Sequence, residues 1–319
     1  METLDKSSGK LTEDYQCSAS MMSSVFNVNP YISCNEALRR CHDALNGKPR
    51  EEIDNRHIRL GESLENTLIR HTAQELGLLS VEDKITKPFR HENLPLNGSL
   101  DGIGVADNLV VEHNPEEGIY LDNKESVRLN GKGVIEIKTS KRAVSDELPD
   151  DLGVIQVKSL MSICKFSWAV IGILWRGDFR VYVFERNLEW EMEHLTPKVI
   201  DFNRRIKDCE FYPAFTPEDA QFLHPTDDGG LVDLTEDPDV RIAIETYNSS
   251  KSLKKVAESN IEESERLIKA KMGNNTYAVC GEHKVTWKNT VIKAKPERVI
   301  PAVAESVGNR RFSMRKIDS

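Results

Sequence analysis

The chain has 319 residues, 39% hydrophobic and 30% charged, with a net charge of −9. That length is enough for one large domain or two modest ones, and no apolar run is long enough to span a bilayer. The acidic balance excludes a bulk polyanion binder, and six scattered cysteines with no CxxC pair exclude zinc ribbons and iron–sulfur clusters and suit a reducing cytosol.

Residues 1–16 are polar, lack a signal-peptide core and read as disordered. A short helix is predicted over 18–26, then a turn at Asn29-Pro30, then a helix over 35–46 with Ser33 as a possible cap. A longer helix runs from about 56 to 77, where Gly77 is a reasonable stop. Residues 99–106 and 109–112 read as strands, and 113–132, polar and turn-rich, as an inserted hairpin loop. The stretch GVIEIKTS at 133–140 is a strand, and 151–164 a helix with Val154, Val157, Met161 and Cys164 on one face. SWAVIGILW, the turn Arg176-Gly177-Asp178 and FRVYVFER form a β-hairpin, followed by a helix over about 189–207. Helices alternating with strands give an α/β core with a mixed central sheet flanked by helices. The α/β unit is placed at 17–212, an acidic, Pro- and Gly-rich linker at 213–238, and an accessory helical and hairpin module at 239–319. Residues 284–316 lean basic, so that tail either meets nucleic acid or is simply solvated.

GVIEIKTS carries an acid and a base on one face, because side chains two apart on a strand share a face: Val134, Glu136 and Lys138 on one, Ile135 and Ile137 on the other. Taken alone, a surface ion pair explains this. Upstream, Asn97-Gly98-Ser99-Leu100-Asp101-Gly102 places Asp101 beside a glycine turn. Two carboxylates, Asp101 and Glu136, with the Ile137 carbonyl as a third oxygen, form a donor set for a hard divalent cation. Lys138 beside them can steer or deprotonate a water, or stabilise charge on a phosphoryl group. On the 56–77 helix, steps of about 100° per residue put Glu65 inside the apolar stripe of Leu64, Leu68 and Ile69. A buried acid there needs a partner or a metal, and Arg70 or His71 could also serve it as an ion-pair partner. Glu75 falls on the same stripe. Gln156, just after the ExK strand, either supports the site or lies on the helix surface.

In this order, Gly61-x-x-x-Glu65, Ser99-Leu100-Asp101-Gly102, Glu136-Ile137-Lys138 and Gln156-Val157 resemble the motifs of the PD-(D/E)XK (restriction-endonuclease-like) nuclease superfamily, in particular its YqaJ-like and lambda-exonuclease branch. Residues 18–33, SASMMSSVFNVNPYIS, are similar to the N-terminal helix and turn of that family, and VTWK…NRRFSMRK to its C-terminal end. Leu100 stands where the family has proline, and residues 11–16 hold no arginine where lambda-type enzymes carry one.

The resemblance implies that Asp101, Glu136 and the Ile137 carbonyl bind Mg²⁺, with Mn²⁺ able to substitute. It also implies that Glu65 binds a second metal or its waters, Lys138 positions the attacking water, Gln156 supports the site and Ser20 contacts a 5′ phosphate. The expected activity is digestion of one strand of linear duplex DNA, 5′ to 3′, leaving 3′ overhangs for phage-type recombination. The expected partners are double-stranded DNA ends, a single-strand annealing protein and further copies in a ring, with no membrane, in a bacterial or phage-infected host cytoplasm. A structure-selective or restriction-type endonuclease, and a non-catalytic DNA-binding or assembly protein, are the alternatives.

Overall fold

A computed structural model describes residues 11–48, 56–122 and 124–289. The chain divides between Leu223 and His224 into two compact units. No helix among the described residues is long and apolar enough to cross a membrane, and all six cysteines are free thiols.

The first unit opens with a 3₁₀ turn, Ala19–Met21, that runs into α1 (Met22–Val25), then α2 (Cys34–Leu45) and α3 (Arg56–Leu76). Ser33 caps α2 as anticipated, its Oγ accepting from Glu36 N–H at 3.1 Å. Next come β1 (Ser80–Glu82), a ribbon of β2 (Phe89–Arg90) and β3 (Asn97–Gly98), β4 (Gly102–Glu112), β5 (Ile119–Leu121) and β6 (Ser126–Ser140). They are followed by α4 (Val154–Cys164) and the hairpin of β7 (Trp168–Trp175) and β8 (Asp178–Glu185). The main sheet has the order β1-β4-β6-β7-β8-β5. Its β6–β7 and β5–β8 pairs are parallel and the rest antiparallel, so the sheet is mixed as the helix–strand alternation implied.

Strand β6 is central and buried on both faces. Val134 packs into a cluster with residues of α1, α2 and α4, such as Met22, Leu38 and Leu160. Ile135 and Ile137 pack into a second cluster with Leu68, Ile69 and Leu76 of α3. The sequence explains the close approaches. A Cβ at Gly133 would lie 2.1 Å from the Trp168 ring, so the glycine makes room for the indole, whose Nε1 donates to the Asn130 carbonyl at 3.2 Å. A Cβ at Gly172 would meet Thr72 Oγ1 at 2.5 Å, so α3 packs closely against β7 there.

The helix predicted over 189–207 is α5 (Leu188–Trp190), a π turn (Glu191–Leu195) and α6 (Thr196–Asp208) in succession. Pro197 lacks the N–H that would bond four residues back, and a widened turn just before it absorbs the mismatch. Buried Glu191 accepts from Arg186 at 2.7 and 2.8 Å and from Ser162 Oγ at 2.9 Å, tying this helix to β8 and α4.

Three expectations need correction. Residues 11–16 are not free chain: Thr12 is buried and the Leu11 N–H donates to Ser99 Oγ at 2.9 Å. The part of this expectation that falls on residues 1–10 lies outside the described residues. The segment 113–132 is not simply a loop: Ile119–Leu121 forms the edge strand β5 beside β8, and β6 already begins at Ser126. Buried Val127 and Leu129 alternate there with exposed Arg128 and Asn130, a two-residue period hidden by the polar setting. The expected linker 213–238 begins with a helix, α7 (Pro217–Leu223), that belongs to the first unit. Thr216 Oγ1 accepts from the Asp219 N–H, and buried Asp219 accepts from Ser33 Oγ and from the Phe215 N–H.

The second unit contains α8 (Pro238–Met272), capped by Asp237, and a hairpin of β9 (Tyr277–Cys280) and β10 (His283–Thr286). The rest of the basic tail, from 290 on, lies outside the described residues.

Candidate active site

The candidate residues meet where β4 begins and β6 runs past it. Gly102 and Ile135 are the last pair of the β4–β6 ladder, so Ile137 lies beyond the end of its neighbour. The Ile137 N–H donates to Asp101 Oδ2 at 2.9 Å in place of a strand partner. In a strand, the N–H and carbonyl of one residue point to the same side, so the Ile137 carbonyl faces the same open edge beside Asp101.

Glu136 points to the α4 side and is 1% exposed. Lys138, one pleat on, keeps 31% of its side-chain surface in water, and its Nζ donates to Glu136 Oε1 and, at 3.3 Å, to Gln156 Oε1. Gln156 is therefore held to the site and is not simply on the helix surface. Glu65 comes from α3 on the other side of the sheet and is half-buried. The two side chains that could have partnered it are engaged elsewhere: Arg70 donates to Asp83 at 2.7 Å and His71 lies 3.6 Å from Glu75. Glu75, on the same stripe by helical angle, is exposed. Gly61, the first residue of the helical motif, lies near Thr139, where an added Cβ would meet Oγ1 at 3.5 Å.

The electrostatics show how closely these groups sense one another. Burial, then the Asp101 charge, pushes the Glu65 carboxyl up to about 7, against the pull of Lys138. Burial and Asp101 likewise raise Glu136 to about 7, again opposed by Lys138. Asp101 is raised by burial, while Lys138 and the Ile137 N–H favour its charge. Burial disfavours the Lys138 ammonium, but the carboxylates of Glu136, Asp101 and Glu65 outweigh it and hold it above the usual lysine range.

Glu136 Oε2 is buried and accepts no hydrogen bond. An orphaned carboxylate oxygen inside a protein is costly unless it meets a cation or a donor. Together with two further carboxylates and a backbone carbonyl, it makes a donor set that fits a hard divalent ion in chemical kind. Among the described residues no group of three His, Cys, Asp or Glu side chains is already arranged to hold a metal. Asp101 is turned onto the Ile137 N–H and Glu136 onto Lys138.

Ser20 lies on the Ala19–Met21 turn, exposed, with its hydroxyl 3.1 Å from that of Ser18. No hydrogen bond among the described residues links it to the carboxylates.

Two residues were not singled out from the sequence. Gly153, at φ +101°, precedes α4 and lies against the Lys138 side chain. Arg142 reaches Asp151 with both terminal nitrogens, at 2.9 and 2.5 Å, and so joins the loop leaving β6 to the one entering α4. The Gly153 signal was available, as a glycine between a polar turn and an apolar helix. The Arg142–Asp151 pair has no local sequence signature.

Comparison with known proteins yields distant likenesses. No protein-family model matches the chain, and no curated protein does. Among solved structures, the chain is similar to LHK-Exo, an alkaline exonuclease from Laribacter hongkongensis. The identity is 14%, covering 61% of this chain and 90% of that one, with a TM-score of 0.41. LHK-Exo in complex with dAMP matches over the same shares at 15% identity and the same TM-score. A phage-related exonuclease from Haemophilus somnus 129PT is 12% identical, covering 61% of this chain and 96% of that one, with a TM-score of 0.39. At such identities and TM-scores these likenesses assign no activity to this chain.

Proposed function

We propose that this protein is a Mg²⁺-dependent deoxyribonuclease, an exonuclease that degrades one strand of linear duplex DNA from its end. The observation that carries the reading is the Lys138 amine bonded to both Glu136 and Gln156, beside a buried Glu136 oxygen without a donor. Such a cluster is unfavourable for folding alone and suits charge chemistry.

Asp101, Glu136 and the Ile137 carbonyl would hold Mg²⁺ or Mn²⁺, with Glu65 holding a second ion or its waters. When bound, such an ion polarises a phosphoryl oxygen and makes a bound water more acidic. Lys138 would serve as a cation: in the chain without metal, Glu136, Asp101 and Glu65 hold its amine above the usual lysine range. It orients the attacking water and offsets charge on the phosphate, and Gln156 fixes its direction. Ser20, on the turn packed against α4, would touch the 5′ phosphate. Strand polarity 5′ to 3′, a 3′ overhang handed to a strand-annealing protein, and assembly as a ring around DNA belong to the same reading.

Incubation with Mg²⁺ and two substrates tests it. Linear duplex is degraded to nucleotides, and covalently closed circular duplex stays intact. Nicking of the closed circle favours the endonuclease alternative, and tight binding without any cleavage favours a non-catalytic DNA-binding protein.

A further inference from the structure

The second unit presents a surface that the nuclease reading does not use. Helix α8 has 35 residues, roughly 50 Å. Nearly all of it is exposed, including Ile242 at 61%, Leu253 at 69%, Val256 at 58%, Ile261 at 58%, Leu267 at 54% and Ile268 at 42%. At about 100° per residue these six fall within one arc of about 140°. Between Ile242 and Ile268 every other residue on that arc is Ala, Ser, Thr or Asn, and no charged side chain falls on it. All the charges lie outside it. Within the second unit, no described residue covers this face.

We propose that this face of α8 pairs, antiparallel, with the same face of a second copy of the chain. Three observations point to a second copy. First, covering six such side chains on each of two helices removes on the order of 1,200 Å² from water, which reaches the lower end of stable interfaces. Second, charge alternates in blocks about the middle of the helix: Lys251, Lys254 and Lys255 precede Glu258, Glu262, Glu263 and Glu265, with Lys254 3.8 Å from Glu258 of its own helix. An antiparallel pair crossing near Val256 sets Lys254 beside the second copy's Glu258, and Glu258 beside its Lys254, a self-complementary, two-fold arrangement.

Third, the flanks select the direction. Lys254, Glu258 and Glu265 border the face on one side, Glu245 and Glu263 on the other. In a parallel pair opposite flanks meet, and Glu258 and Glu265 would face Glu263, like against like. In an antiparallel pair the same flanks meet, and Lys254 lies beside the second copy's Glu258. The pairing is separate from the carboxylate cluster and does not depend on the nuclease reading.

The full-length chain is examined by sedimentation and light scattering. The wild-type mass exceeds that of Leu253→Glu/Val256→Glu, and is twice it where α8 is the sole contact between copies. Both positions are exposed, so the variant keeps its fold, which circular dichroism checks. Lys254→Glu and Glu258→Lys each self-associate roughly tenfold more weakly, and an equimolar mixture of the two restores pairing. An effect confined to one helix cannot produce that rescue. Equal mass for wild type and the double glutamate variant overturns the proposal, whether the face is covered by the chain's own remainder or by nothing. So does a mixture no better than its components.

Discussion

Gly153 lies directly against the stem of Lys138: a Cβ at position 153 would sit 3.3 Å from Lys138 Cε and 3.9 Å from Cγ. The glycine also holds φ at +101°, where other residues are strained. Gly153→Ala therefore costs about 1–2 kcal/mol of backbone strain and displaces the ammonium from Glu136 and Gln156. Cleavage falls at least about tenfold, more than a drop of a few degrees in Tm explains. Parallel assays of nuclease rate and melting check this, and a melting shift with no loss of rate contradicts it.

In the proposed mechanism Gln156 acts through Lys138, to which it is bonded at 3.3 Å. Gln156→Leu lowers kcat several-fold and leaves duplex affinity close to wild type, because the lysine keeps its charge and loses only a fixed direction. A change confined to affinity contradicts this role. Steady-state kinetics alongside duplex binding separate the two.

Glu65 titrates near 7 in the folded chain, above its ordinary value, because it is buried beside Asp101. A carboxyl raised in the folded state binds more protons folded than unfolded between about 4.5 and 7. Its contribution is thus fully present below that window and is lost as pH rises through it. With chelator present, Glu65→Gln melts above wild type at pH 8, and the difference disappears below pH about 4.5. Equal melting at pH 8 shows that the carboxylates do not repel one another as described.

Gly133→Ala tests the core. Its Cβ would fall 2.1 Å from the buried Trp168 ring. The indole cannot move without breaking its bond to Asn130, so the substitution costs about 1–3 kcal/mol. Denaturant unfolding measures it, and an unchanged midpoint contradicts the packing described.

The sequence was most legible where periodicity and punctuation agreed. Ser33 before an amphipathic run, Gly77 after another, and the Arg176-Gly177 turn between two apolar runs each mark a real boundary. The site was legible as motifs because a strand holds Glu136 and Lys138 on one face whatever surrounds it. What sequence could not give were relations across the fold. The Asp101 bond to the Ile137 N–H depends on where β4 stops pairing. The Arg142–Asp151 pair joins two loops, and β5 is a strand only because β8 offers it an edge. The hidden helix α7 depends on Asp219 finding Ser33, 186 residues away in the chain.

The most direct test of the central claim is nucleotide release from linear duplex DNA by wild type and by Lys138→Ala, with Mg²⁺ and with excess EDTA. Wild type releases nucleotides with Mg²⁺ and none with EDTA. Lys138→Ala is slower by at least about a hundredfold, yet still folds and binds duplex. Full activity in Lys138→Ala, or undiminished cleavage in EDTA, contradicts the account.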